Sequence, residues 1–404
     1  MNKITPVLLG ADLNCYSVAR AFHEAYGVRS YAFGKYSIGE TEYSKIISFQ
    51  KVDDLASDDV LRETLLSFAC EHRGEELYLL GCTDEYQEAI IKNRDFLKRH
   101  YFFSCPSQEL AKKLISKEAF YKMCEKHNLP YPKTKIFRFE SDFSELYENS
   151  LGFKYPIIIK PSSSIEYWRN PFEGMQKVYL AGTQADAKII ISDIYSSGYG
   201  DTLILQEYIP GGEDSMYVLT AYSDRNSKVR MMCMGHVLLG EHTPKGLGNH
   251  VAILTEYHEE IMEKLCSFLE EIGYKGFSNF DIKLDERDGS FRVFEINLRQ
   301  GRSNYYVTAS GENIARLIVN DRHSSFENEK NICRGEFFWH TVPKKIIYSY
   351  ISDKNTEQKV KELVSSGKSM STLFYPHDMR FNLLRSCFVY IHNMRYFKKY
   401  KIYK

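Results

Sequence analysis

No CxxC pair occurs in this chain, although it holds nine cysteines (Cys15, Cys70, Cys82, Cys105, Cys124, Cys233, Cys266, Cys333 and Cys387). Without that spacing, an odd, scattered set reads as free thiols of a reducing compartment. Net charge is lacking as well. The 53 Lys and Arg residues balance 53 Asp and Glu, which leaves no electrostatic footprint for a nucleic-acid binder. Nowhere do about 18 apolar residues follow one another, the length that a spanning helix needs. Residues 4–9 are too short an apolar run for a secretory leader and soon meet Asp12. These absences predict a cytoplasmic protein without a nucleic-acid partner.

What remains is ordinary for a folded protein: 404 residues, 43% hydrophobic and 26% charged, enough for two or three domains with their own cores. The first of these opens with an apolar run at 4–9, a helical pattern at 16–26 and a second strand at 28–33, the strand, helix, strand order of a parallel α/β domain. The loop Gly10-Ala11-Asp12-Leu13-Asn14 lacks the second and third glycines of a dinucleotide fingerprint, so it reads as a structural or substrate-facing loop. Another strand is predicted at 77–80, followed by Gly81-Cys82-Thr83-Asp84-Glu85. Asp12, Asn14, Asp84 and Glu85 then either line a rim beyond the strand ends or are solvated loop residues.

Residues 107–128 have helical periodicity, with Lys117 at a helix start after Ser116, and Pro130 and Pro132 close the segment. The run YPIIIK is a buried strand ending in Lys160, and Pro161-Ser162-Ser163-Ser164 follows. An ammonium at the end of a core strand with Ser162, Ser163 and Ser164 behind it is a candidate phosphate cradle. Residues 161–176 are expected to form a flexible flap before the next strand. Further on, 203–207 is predicted as a strand running into Tyr208, Ile209 and the acidic Glu213. Backbone groups freed at that end suit an adenine edge, and a carboxylate after it suits ribose hydroxyls.

The densest chemistry lies at 277–303, FSNFDIKLDERDGSFRVFEINLRQGRS. Apolar and polar residues alternate on both sides of a turn at 286–289, the pattern of a hairpin of half-buried strands. Asp281 stands on the first strand, and Glu295 and Asn297 share a face of the second. Two carboxylates and an amide oxygen form a hard donor set for Mg²⁺ that also holds phosphates, and Arg299 and Arg302 beside it suit an anionic reactant. His236, His242, His250 and Asn249 lie among glycines at 234–251. Their spacings fit no regular metal motif, so His236 and Asn249 are read as substrate contacts or capping groups.

In this order Lys117, Lys160, the segment QEYIPGGE (206–213) and the set Asp281, Glu295, Asn297 resemble the ATP-grasp superfamily. The segments PVLLGADLN (6–14), NLPYPKT (128–134), VRMMC (229–233), FEINLRQGRS (294–303) and VPKKI (342–346) are similar to the bacterial D-aspartate ligase family. The resemblance implies an α/β protein: an ATP-grasp fold preceded by a Rossmann-like α/β domain, with a C-terminal helical extension. The implied division is 1–110 for the preceding domain, 111–335 for the grasp (lobes 111–205 and 206–335) and 336–404 for the extension. It also implies ATP held by Lys117, Lys160, the serines, Gln206, Glu207, Tyr208, Ile209 and Glu213, with one or two Mg²⁺ ions on the hairpin. The implied reaction activates the β-carboxylate of D-aspartate as an acyl phosphate and joins it to the stem-peptide lysine of a UDP-linked peptidoglycan precursor. Arg299, Arg302 and Lys160 are its implied catalytic groups. A ligase for another amino acid or acceptor, or a module without catalysis, fits the same residues. One departure stands out: D-alanine:D-alanine ligases carry an arginine two positions before the first metal carboxylate, where this chain has Asn279, and Arg299 is the expected substitute.

After Asp378 no acidic residue follows, while Arg380, Arg385, Arg395, Lys398, Lys399, Lys401 and Lys404 alternate with apolar and aromatic residues. Such a segment suits an anionic membrane surface, the diphosphate of a bulky precursor, or a packed helix with a solvated basic face.

Overall fold

A strand buried on both faces reads as an unbroken apolar run, and Ile4–Leu9 (β1), with all six residues buried, is one. In the computed structural model, which describes residues 2–244, 246–326 and 330–403 and leaves out the side chains of 164 and 165, β1 lies inside a parallel four-stranded sheet. It pairs with Ser30–Gly34 (β2) and Glu76–Gly81 (β4), and Ile47–Lys51 (β3) pairs with β2, giving the order β3-β2-β1-β4. The helix Leu13–Tyr26 begins three residues before the predicted start because Asp12 caps it, accepting from the Cys15 amide at 3.2 Å. Gly27, at φ 67°, ends the helix in the left-handed region, where glycine carries no steric penalty.

The chain divides into two compact units. The first takes residues 1–110, 212–280 and 297–404. Besides the parallel sheet it contains the strands Met216–Ser223 (β9), Val229–Gly240 (β10) and His250–Glu256 (β11), with Phe338–His340 (β15) and Ser369–Ser371 (β16). The hairpin strands Gly276–Asp285 (β12) and Ser290–Asn297 (β13) complete the order β13-β12-β9-β10-β11-β15-β16, and Asn331–Ile332 (β14) pairs with β10. The main core of this unit joins Leu8, Tyr16 and Phe22 of the opening α/β segment to Met231, Tyr306 and Trp339.

The second unit takes 111–211 and 281–296. Its sheet is antiparallel, in the order β5-β8-β6-β7, from Thr134–Phe137 (β5), Ile157–Pro161 (β6), Tyr179–Ala181 (β7) and Leu203–Glu207 (β8). Alternation puts Ile157 and Ile159 into a core with Ala187, Ile191 and Leu205, and leaves Lys160 on the opposite face.

The helical pattern at 107–128 comprises Gln108–Ile115 and Lys117–Lys126, the second starting at Lys117 as expected because the Ser116 hydroxyl accepts from the Ala119 amide (3.4 Å). One expectation needs correction: the stretch 161–176 is not an open loop, since it contains the helix Ser164–Arg169, capped by Ser163, and the next strand begins only at Tyr179. The short ladder of polar and aromatic residues there masks helical periodicity. Among the described residues no helix is long and apolar enough to cross a membrane.

Candidate active site

In the second unit, sheet register brings the phosphate-type lysine to its supports. Ile158 pairs with Gln206 across β6 and β8, and Lys160 follows Ile158 on the same face. The Lys160 ammonium lies 3.1 Å from Gln206 Oε1 and 3.2 Å from the Tyr121 hydroxyl, with the rings of Tyr121 and Phe294 at 5.7 and 5.9 Å. Burial pulls its pKa down to about 8, against the attraction of Glu295. Gln206 is buried, and its amide nitrogen donates to Thr134 Oγ1 at 2.8 Å, so this side chain positions Lys160. Lys117, the first residue of its helix, is likewise pushed down by burial and held up by Glu295.

Glu295 is the centre of this electrostatic set. Burial raises its carboxyl first, and the neighbouring Asp281 carboxyl raises it further through like charge and a shared hydrogen bond, while Lys117 and Lys160 pull it down. Two carboxyls crowded together in a buried, cation-flanked place are a good fit for a divalent metal, which removes their mutual repulsion. Asn297 ends β13, and its amide nitrogen lies 3.4 Å from the Asn279 carbonyl.

The segment after β8, a hinge at residues 207–211, has supports of its own. Lys283, two residues after Asp281 and therefore on the same face of β12, donates to the carbonyls of Ile209 (3.0 Å) and Gly211 (2.7 Å), with the Tyr208 ring at 5.8 Å. The Glu207 carboxylate accepts from the Lys133 amide (2.8 Å) and pairs with Arg287 (3.2 Å). Ser162 accepts from Thr202 Oγ1 at 3.0 Å, and Ser163 accepts from the Glu166 amide at 3.3 Å. The Ser164 side chain lies outside the described residues.

In the first unit the two arginines meet the α/β rim. Arg299 Nη2 donates to Asp84 Oδ2 at 2.9 Å and Nε lies 2.8 Å from Oδ1, while Arg302 Nε is 3.9 Å from Asp12 Oδ2. Between them, Gln300 Nε2 donates to the Gly81 carbonyl (3.1 Å) and Asn14 donates to the Gln300 and Cys82 carbonyls (3.2 and 2.7 Å). Asp12 and Asp84, with Lys35, Asp54 and Glu85, line an open cleft of about 720 Å³ past the ends of β1, β2 and β4. Asn279 does not reach this rim as a ligand-facing amide. It is buried, accepts from Thr220 Oγ1 at 3.1 Å, and its Oδ1 stands 2.4 Å from where a Cβ at position 301 would be, so Gly301 is required there.

Other sequence candidates of this unit are tied to local hydrogen bonds. Glu213 Oε2 accepts from the Gly240 amide at 2.9 Å and lies 3.3 Å from His242 Nε2. Asn249 donates to the Gly246 carbonyl at 2.9 Å. His236 has Glu256 Oε1 at 3.2 Å from Nδ1 and the Asp214 carbonyl at 2.6 Å from Nε2, and it stacks on Tyr217 at 4.6 Å. Both partners are acceptors, so both ring nitrogens donate.

No family model matches the sequence. A D-aspartate ligase of Enterococcus faecium (strain Aus0004) is 38% identical over 415 residues, covering 98% of this chain and 97% of that protein. The chain belongs to the D-aspartate ligase family. Membership makes it an ATP-dependent carboxylate-amine ligase. Among solved structures, the biotin carboxylase domain of Hydrogenobacter thermophilus 2-oxoglutarate carboxylase, in complex with MgADP, ADP and bicarbonate, matches with TM-score 0.60 and 15% identity over 82% of this chain and 72% of that one. The L-amino acid ligase from Bacillus licheniformis matches at 0.56 and 12% identity, over 82% and 78%. At such identities the likeness shows the fold, which is the ATP-grasp.

Sequence reasoning missed two supports in the second unit. Tyr121 looks like one more apolar residue of a helix and Lys283 like a solvated strand lysine, whereas Asp84 of the first unit was already a candidate for the rim. Only Lys283 left a usable signal, its two-residue spacing from Asp281.

Proposed function

We propose that the chain phosphorylates the β-carboxylate of D-aspartate with ATP and transfers the resulting acyl group to the ε-amine of the stem-peptide lysine of a UDP-linked peptidoglycan precursor. The first step forms a bond from the carboxylate oxygen to the γ-phosphorus and releases ADP. In the second, the amine attacks the acyl carbon, phosphate leaves, and the amine gives up a proton. The observation that carries this reading is the half-buried pair of carboxyls Asp281 and Glu295, with Lys117 and Lys160 acting on Glu295, in a chain alike over 98% of its length to a D-aspartate ligase.

In this reading Lys117 and Lys160 bind phosphate oxygens, and a phosphate beside Lys160 restores the charge that burial opposes. The hinge 207–209 orients the base, Ser162, Ser163 and Ser164 border the phosphates, and Glu213 takes the ribose. Asp281, Glu295 and Asn297 would hold Mg²⁺, as one or two ions, which would supply neutralisation of the phosphate charge. Arg299 and Arg302 receive the acid and its oxyanion, a contribution of about 2.7–4 kcal/mol per donor in other enzymes. His236 and Asn249 are kept as positioning groups for the substrate side. We assign 1–110 to a preceding domain, 111–335 to the grasp and 336–404 to an extension, and place the reaction in the cytoplasm, in keeping with nine free thiols. Phosphate release assayed with D- and L-amino acids and the UDP-pentapeptide tests the substrate: dependence on D-aspartate is expected, and dependence on another amino acid removes the assignment.

A further inference from the structure

The C-terminal helix Leu383–Ile402 is turned inside out relative to an ordinary surface helix. Its inward face is fixed by polar anchors. Arg385 has Nε 3.0 Å from Asp378, neither side chain being exposed, and it donates to the carbonyls of Gly39 (3.2 Å) and Glu40 (2.9 Å) with the Tyr16 ring at 4.1 Å. Further along, the Tyr396 hydroxyl donates to Glu241 (2.8 Å) and the Tyr400 hydroxyl to the Gly240 carbonyl. Such buried charged and hydroxyl contacts prevent the helix from rolling. The opposite stripe, at spacings of three and four residues, is therefore set permanently in solvent. It is apolar over its first three turns: Leu383 is 77% exposed, Leu384 69% and Met394 68%, with Tyr390 and Ile391 beside them. Its last turns carry the exposed Arg395, Lys398 and Lys401.

Two more features lie at the apolar end. Phe381 holds a left-handed backbone (φ 58°) and exposes 94% of its surface, an unfavourable combination for an aromatic residue. An open cleft of about 600 Å³, lined by Phe374, Pro376, His377, Met379 and Arg380, adjoins it, and Phe374 meets Tyr390 edge-on at 5.8 Å. No acidic residue follows Asp378 to dilute the positive charge.

We propose that this stripe, Phe381 to Lys401, is a docking surface for an anionic lipid bilayer, with the apolar turns and Phe381 sunk to the level of the acyl chains and Arg380, Arg395, Lys398 and Lys401 on the phosphate headgroups. An apolar sector continuing into turns where Arg395, Lys398 and Lys401 are exposed beside Ile402, with no acidic residue among them, is the arrangement of a helix held in the plane of a membrane interface, and the matching charge is that of anionic lipid. The proposal uses none of the groups assigned to catalysis.

Flotation of the full chain with vesicles tests it. Vesicles of equimolar phosphatidylcholine and phosphatidylglycerol should take up about tenfold or more protein than phosphatidylcholine alone, with the excess lost in high salt. The combined Leu383→Ser, Leu384→Ser, Met394→Ser variant and the Lys398→Glu, Lys401→Glu variant should each lose that uptake with an unchanged melting temperature, because the altered side chains stand in solvent. Equal uptake by neutral vesicles, no uptake, or uptake unchanged in the variants would overturn the proposal. So would a wild-type dimer that the serine variant converts to monomer, since a second copy would then own the face.

Discussion

Glu295 is where the account is most exposed at the scale of a single residue. Its carboxyl is withdrawn from water beside that of Asp281, an arrangement that costs folding energy and suits the proposed cation. Glu295→Gln should therefore lower ADP release by about a hundredfold or more while leaving the melting temperature the same or higher, as expected where a site trades stability for function. Arg299 poses a related question, because a guanidinium paired with Asp84 must be releasable to bind an acid. The Asp84 side chain is 58% exposed, and a pair with one partner in water contributes about 0–1 kcal/mol, a small barrier to exchange.

His236 gives the pH dependence. Burial lowers its pKa, but the hydrogen bond and charge of Glu256 and the Asp214 carbonyl outweigh burial and raise it above the ordinary 6.5. A raised histidine contributes stability in full below its unfolded value and loses it as pH rises through the folded value; Glu256, held well below the carboxylate range, keeps its part far into acid. His236→Asn should cost about 1–2 kcal/mol at about pH 6 and less at about pH 9, read by denaturant titration at both. A cost that does not vary with pH would mean the ring is neutral throughout.

At the scale of the element, the hairpin of β12 and β13 carries more than the proposed metal carboxylates. Strand alternation puts Asp281 and Lys283 on one face, so the strand that carries Asp281 also holds the hinge through the Ile209 and Gly211 carbonyls. Lys283→Ala should raise the KM for ATP about tenfold, the loss of one charge-assisted hydrogen bond of about 1.5 kcal/mol, with a smaller change in kcat. Unchanged ATP dependence would show that the hinge does not need the tether. This hairpin and β6 were legible in the sequence because strand periodicity and a terminal lysine are local signals. The helix start at Lys117 was legible too, from Ser116 before it, whereas the helix Ser164–Arg169 was not, since a single serine hydroxyl caps it and hydroxyls are equally common in loops.

At the scale of the molecule, the order of α/β opening, lysines, hinge and hairpin was readable because each part is contiguous. The pairings that complete it were not. Arg299 and Asp84 are separated by 215 positions in sequence, and no periodicity links a guanidinium to a loop acid at that distance. The inward anchors of the C-terminal helix were hidden for the same reason: Arg385 reads as one more basic residue of a solvated tail until Asp378, Tyr16 and Glu40 close round it. The whole chain is then one ligase in which nucleotide, acid and acceptor must be joined in sequence. Mass spectrometry of the products formed from ATP, D-aspartate and the UDP-linked pentapeptide tests this most directly. The account predicts ADP, phosphate and a precursor enlarged by one aspartyl residue on its lysine side chain; an unmodified precursor with ATP intact, or a precursor carrying a different amino acid, would contradict it.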